Sequence, residues 1–226
     1  MSAAVTMQVT RGKLNRLAHV GLDSFAFRER AISDLHAALR FDAAAWWTID
    51  PATALFTSCV FKPSPPDHAI CAGVHQNELG DTDYNKFRVL ARSTDKAGVL
   101  SAATGGQPER SDRYRHILAP LHYQHELRLA LSDDSALWGG ITLLREPGAP
   151  DFTPAEAYRV GSLGRILTEG LRPEVGSSWL PEVVRSVIAR ARQFHGGDAP
   201  EDGMSRARVR GASSRWLAIC ASGVRG

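Results

Sequence analysis

Cysteine is scarce in this chain: Cys59, Cys71 and Cys220 are the three present, at irregular spacing. An odd, scattered set excludes a disulfide framework and suits a reducing compartment, so a cytoplasmic location is expected. Long apolar runs are missing as well. No segment approaches the ~20 apolar residues of a membrane span. The N-terminus has no sustained apolar stretch before Arg11, so neither an anchor nor a signal peptide is expected. A strong net charge is also lacking. The formal charge of +3 over 226 residues excludes nucleic-acid binding across the whole surface, although arginines are denser beyond Leu180. Signatures of catalysis are absent too: no G-x-S-x-G elbow, no metalloprotease pattern, and no Lys-Ser/Thr after Thr104-Gly105-Gly106 to make a phosphate loop. The chain is expected not to be an enzyme.

What is present builds a core. Hydrophobic residues make up 43% and charged residues 23%, ordinary for a globular protein with one full domain and a smaller second unit. The strongest β signal spans residues 127–145. Leu127, Leu129 and Leu131 alternate with Arg128 and Ala130, the period of a strand with one buried face. Asp133, Asp134 and Ser135 form a polar turn, and residues 137–144 return with apolar side chains at both parities, as a central strand covered on both sides requires. Gly139 and Gly140 within that strand point to a bulge or a close approach to the backbone. Residues 41–50 and 55–61 form another hairpin around Asp50-Pro51-Ala52-Thr53.

Helical signals flank these hairpins. Residues 1–10 read as a frayed leader and Leu14, Leu17, Ala18 and Gly21 as a short helix. Asp23 or Ser24 caps a longer helix with Phe25, Ile32, Leu35 and Leu39 on one stripe. After the Pro-rich loop 62–66, Ala69, Ile70 and Val74 form a helix face. Asn85 is placed to cap a helix carrying Phe87, Val89, Leu90 and Ala91. Val99 and Leu100 make a short strand, residues 104–108 a loop, and Ser111 caps a helix through Tyr114, Ile117 and Leu118. Thr153, Pro154 and Glu156 form a capping box for a helix carrying Val160, Leu163, Leu167 and Leu171 that stops before Pro173. Gly161 and Gly164 each cost about 1 kcal/mol relative to Ala, which tight intramolecular packing explains better than a self-association seam. Residues 173–178 mark a boundary, beyond which one amphipathic helix and an Arg-rich hairpin read as a piece of a domain.

Candidate sites divide into three groups. His68, Cys71 and His75 share a helix face, with Cys59 as a fourth zinc-type ligand. The paired C-x2-C or H-x3-H units of a metal site are missing, so buried Cys with exposed His is preferred and no metal is assigned. A Cys/His metal-binding regulator stays as an alternative. Arg185, Arg190, Arg192, Arg206, Arg208 and Arg210 would support a second alternative, nucleic-acid binding through the C-terminal segment, but Glu182, Asp198, Glu201 and Asp202 dilute them. The third group could line a ligand pocket between the sheet and its helical cover: Trp47, Phe56, Tyr84, Phe87, Leu100, Leu129 and Trp138. Core packing is the competing role for each. Trp46 and Trp47 point to opposite faces, so at most one belongs in a single pocket.

Residues 22–172 resemble the GAF-like sensor region of actinobacterial LuxR-type transcriptional regulators. The resemblance is carried by Phe41-Asp42-Ala43-Ala44 before Trp47, Asp83-Tyr84-Asn85-Lys86-Phe87, and Ala103-Thr104-Gly105-Gly106 with Arg113-Tyr114-Arg115. Glu126-Leu127-Arg128, Trp138-Gly139 and Pro150-Asp151-Phe152-Thr153 complete the series. Residues 206–222 similarly look like the Arg-rich hairpin of a following PAS-like segment. The organisation so implied is a leader and helix over 1–21, a sensor domain over 22–172 and an incomplete PAS-like segment over 173–226. The implied fold is α+β, a central antiparallel sheet of five or six strands flanked by helices. The implied function is a non-catalytic module that binds a small molecule and forms a homodimer through its terminal helices. No cofactor is identified, and without a helix-turn-helix in this sequence DNA binding is not expected. Asn85-Lys86-Phe87 begins like a cyclic-nucleotide signature, but Arg88-Val89-Leu90 follows, so that ligand is not inferred.

Overall fold

Every residue of β1 (Ala43–Ile49) is buried, because a layer of helices covers each face of the sheet to which it belongs. The structure is a computed structural model and describes residues 3–64, 68–80, 82–134 and 136–175. The other strands are β2 (Phe56–Lys62), β3 (Ala97–Val99), β4 (His125–Ser132) and β5 (Leu137–Arg145). They form one antiparallel five-stranded sheet in the order β2-β1-β5-β4-β3. The fold is therefore α+β. β5 occupies the centre, as its apolar residues at both parities require.

One helical layer comprises α1 (Ala3–Ala18), α2 (Ser24–Ala38), α6 (Pro154–Gly161) and α7 (Gly164–Val175). Its core joins Phe27, Leu35, Val160, Leu167 and Leu171 to Trp46, Leu127, Leu129 and Ile141 on the sheet. The opposite face is covered by α3 (His68–Leu79), the single turns α4 (Phe87–Leu90) and α5 (Leu100–Thr104), and a widened π-type turn over Tyr114–Leu118. Two smaller apolar clusters fill this second layer, one around Leu100, Ile117, Leu118 and Leu144, the other around Trp47, Phe56 and Phe87. Trp46 and Trp47 thus do face opposite layers.

Local signals formed as their chemistry dictates at several ends. Asp23 accepts from the Ala26 amide at 2.8 Å and caps α2. At α6, the Glu156 amide donates to Thr153 Oγ1 at 3.2 Å and the Thr153 amide donates to Glu156 Oε2 at 2.7 Å, a closed capping box. Ser111 Oγ accepts from the Tyr114 amide at 3.2 Å. Gly161 sits where a Cβ would lie 2.5 Å from the Asp95 carbonyl, a tight intramolecular contact.

Other expectations are corrected. The leader is helical: α1 begins at Ala3, and Met7, Thr10 and Leu14 are buried at helical spacing. The exposed Val5 and Val9 had blurred that pattern. Phe25 is 54% exposed, and Phe27 takes its place in the core. Ala69 is exposed, while Ile70 and Val74 are half-buried. Asn85 does not cap α4; it adopts φ 53°, and the Phe87 amide is met instead by Glu78 Oε1 at 2.7 Å. Val89 points to solvent. Leu100 opens α5 rather than extending β3, so residues 100–104 are helical. The helix begun at Pro154 is interrupted at Ser162 and Leu163, and α7 continues to Val175, past Pro173. β4 has two buried faces, with Glu126 and Arg128 each 1% exposed. The amphipathic helix and hairpin expected beyond residue 178 lie outside the described residues.

The two glycines of β5 mark close approaches. A Cβ on Gly139 would press on the Trp47 carbonyl and the Leu171 methyl, and one on Gly140 would overlap the Phe87 ring. Gly140→Ala should lower stability by about 2 kcal/mol through overpacking, read from the urea midpoint. In a Phe87→Leu background the added penalty should shrink; an equal penalty in both backgrounds would show that the ring is not the obstacle.

Candidate functional site

The second layer does not close fully onto the sheet. It leaves a cavity of about 190 Å³. The register explains its floor. Arg128, Thr142, Ala45 and Phe61 stand side by side on β4, β5, β1 and β2, and alternation puts them on one face. Two residues along, Glu126, Leu144 and Ala43 form the next row. Residues of both rows line the cavity. Ala43 and Ala45 are too small to fill the space beneath the cover, and a void results. Its roof comes from Ile70, Cys71 and Val74 of α3, from Ile117 and Leu118 of the π-type turn, and from Leu121 and Tyr123. That turn is wide because the Ala119 amide donates to the Tyr114 carbonyl five residues back, at 2.9 Å.

The end of the cavity over β4 is charged. Arg113 grips Glu126 with two bonds, Nε to Oε1 at 2.9 Å and Nη2 to Oε2 at 2.7 Å. Its Nη1 donates to Asn77 Oδ1 at 3.1 Å and Nη2 also to the Tyr84 carbonyl at 3.0 Å. Asp83 accepts from Asn77 Nδ2 at 2.7 Å and the Arg113 amide at 2.8 Å. Next to this set, Arg128 donates from Nη2 to Glu78 Oε2 at 2.9 Å and from Nη1 to the Asn85 carbonyl at 3.1 Å. Its guanidinium lies 3.7 Å above the Phe87 ring, a favourable contact for a delocalised cation on an aromatic face.

These charges are almost wholly removed from water. Burial opposes the charge on Arg113, but the Glu126 and Asp83 carboxylates outweigh it and raise its pKa above the ordinary arginine value. For Arg128 burial prevails over the attraction of Glu78, and its pKa is lowered. Burial pushes Asp83 up, yet the hydrogen bonds from Arg113 and Asn77 hold it below the usual carboxylate range. Truncating one member of such a pair strands the other, at a cost of about 3–5 kcal/mol.

Of the residues expected to line a pocket, Trp47 does so. It stacks on Phe56 with ring centroids 4.6 Å apart, and Phe87 packs into the same cluster. Tyr84 and Leu100 belong to the apolar cluster of Ile117, Leu118 and Leu144, without lining the cavity themselves. Leu129 faces the opposite layer, because its parity on β4 is that of Leu127 rather than Arg128. Trp138 lies at the hairpin end, its indole N–H on Asp133 Oδ2 at 3.0 Å. Glu126, Arg128 and Arg113 line the cavity and were not among the residues expected there. Yet Asp83, Arg113, Glu126 and Arg128 fall inside the stretches that carry the family resemblance, where a site could have been sought.

Cys71 lines the cavity, whereas His75 is buried with its ring 5.3 Å from Phe56. Among the described residues no three His, Cys, Asp or Glu side chains are placed to hold a metal. Burial lowers the His75 pKa from 6.5 to about 4. A depressed histidine pKa means the unfolded chain binds the proton first. Stability should be full above pH 6.5 and fall by about 3 kcal/mol as pH drops to 4. His75→Leu should flatten that slope in urea titrations across pH 4–7; an unchanged slope would assign it elsewhere.

No protein-family model matches the sequence. No curated protein matches it. Among the described residues no helix is long and apolar enough to cross a membrane. Among solved structures, the chain is similar to the GAF domain of an Acinetobacter phosphoenolpyruvate-protein phosphotransferase, with 15% identity, TM-score 0.47, and coverage of 76% of this chain and 94% of that one. It is also similar to the A. aeolicus nlh2 GAF domain in an inactive state, with 8% identity, TM-score 0.46, and coverage of 76% and 99%.

Proposed function

We propose that this chain is a non-catalytic, GAF-like sensory module that binds a small molecule in the cavity between its sheet and the layer formed by α3 and the π-type turn. The cavity itself carries this reading. Its volume of about 190 Å³, its opening toward solvent and its mainly apolar walls with one polar end suit a ligand. The carboxylates at that end are held rather than left free for proton transfer: both Glu126 oxygens accept from Arg113, and Glu78 accepts from Arg128 and the Phe87 amide. That supports binding over catalysis.

The resemblance of residues 22–172 to the sensor region of LuxR-type regulators supports a place in cytoplasmic transcriptional control. The sensor unit takes α1 with it, since α1 packs on α2 and α7. A homodimer through the terminal helices is part of the same reading. It is supported by exposed Val5, Val9 and Phe25 on α1 and α2, each about half exposed. Sedimentation giving a strict monomer would remove the dimer.

The ligand claim is tested by thermal shift. A molecule bound in the cavity at 100 times its Kd should stabilise the chain by about 2.7 kcal/mol. Ala45→Phe, which fills the floor between Thr142 and Phe61, should fold and lose that shift. A metabolite panel that never shifts the wild-type Tm, or a shift kept in the filled variant, would sink the proposal.

A further inference from the structure

We infer that the cavity is matched to a small uncharged molecule with an apolar body and one carbonyl-type acceptor. This rests on the ligand-binding reading above and adds the chemical class. The first observation is an account of donors at the polar end. Arg113 uses Nε, Nη1 and Nη2, and Arg128 uses Nη1 and Nη2. Arg128 Nε, on a side chain 1% exposed, has no partner. Thr142, beside Arg128 in the register, makes no side-chain hydrogen bond among the described residues and lines the same cavity. A donor left unmade in the interior is unfavourable. An acceptor between these two neighbours would meet both.

The second observation is charge. Each cation lining the cavity is paired: Arg113 with Glu126 and Asp83, Arg128 with Glu78, and Lys62 with Glu29. No surplus positive charge awaits an anion, and Arg128 at the wall disfavours a cation. A carboxylate would have to bring its charge out of water with nothing left to pair it. A ketone, ester, lactone or amide oxygen carries no such penalty. The third observation is size. At about 190 Å³ the cavity exceeds the ~150 Å³ that holds benzene in an apolar site, so one ring with a short substituent fits.

Three probes of equal heavy-atom count separate the possibilities: acetophenone, isopropylbenzene and benzoate, titrated into the full chain by calorimetry at neutral pH. Acetophenone should bind about tenfold tighter than isopropylbenzene, and benzoate most weakly. Thr142→Val should bring acetophenone down toward isopropylbenzene while leaving the latter unchanged. The infrared carbonyl stretch of acetophenone bound to the wild-type chain should move to lower frequency, a readout that needs no variant. Equal affinity for acetophenone and isopropylbenzene, or preference for benzoate, would overturn the inference and leave the ligand-binding reading standing. Failure of all three probes to bind would overturn both.

Discussion

The second layer of this fold depends on two buried ion pairs that share one strand. Glu126 and Arg128 stand two residues apart on β4 and reach to Arg113 and Glu78. Arg113 introduces the π-type turn, and Glu78 belongs to α3. Asn77 and Asp83 then close the network around Arg113. Helical pieces too short to hold themselves in water are thus fixed to the sheet by charge-assisted hydrogen bonds. The apolar contacts that would otherwise press the cover onto the floor are thin over Ala43 and Ala45, and a space remains there.

The two layers are built on different physics. Under α1, α2, α6 and α7 the sheet presents Trp46, Leu127, Leu129, Leu131, Ile141 and Leu143, and the contact is continuous apolar packing. Glycines allow the closest of these approaches, as where Gly170 lies against the Phe27 ring. The other layer mixes an aromatic cluster, a charged cluster and a void. Phe87 serves both halves, lying on Gly140 with one contact and on Arg128 with another.

The sequence made the sheet legible wherever a hairpin was short and its turn polar, as at residues 127–145, and wherever a cap was complete, as at Thr153 and Glu156. The centrality of β5 followed from apolar residues at both parities. Less was legible where tertiary contacts override local pattern. The alternation of Leu127, Leu129 and Leu131 with Arg128 reads as one wet face, because a charged side chain inside a protein is explained only by its partners. Those partners, Arg113 and Glu78, lie 13 and 50 positions from Glu126 and Arg128 respectively. The cavity could not be read from residue types at all, since it is made by what Ala43 and Ala45 do not fill. Trp47 reaches the cavity because it shares the parity of Ala43 and Ala45 on β1; Leu129 lies in the opposite layer because it shares the parity of Leu127 on β4.

The charges on β4 also bear on how the chain finds its strand pairing. Because side chains alternate along a strand, a slip of one residue against β5 would turn Glu126 and Arg128 into the leucine-lined layer and Leu127 and Leu129 among the ionised groups. Either error leaves charges without partners in an apolar interior. A sheet whose faces were both plainly hydrophobic would tolerate such a slip far better. The pair therefore acts as a marker of alignment during folding, restricting β4 to the one pairing in which both of its faces are satisfied.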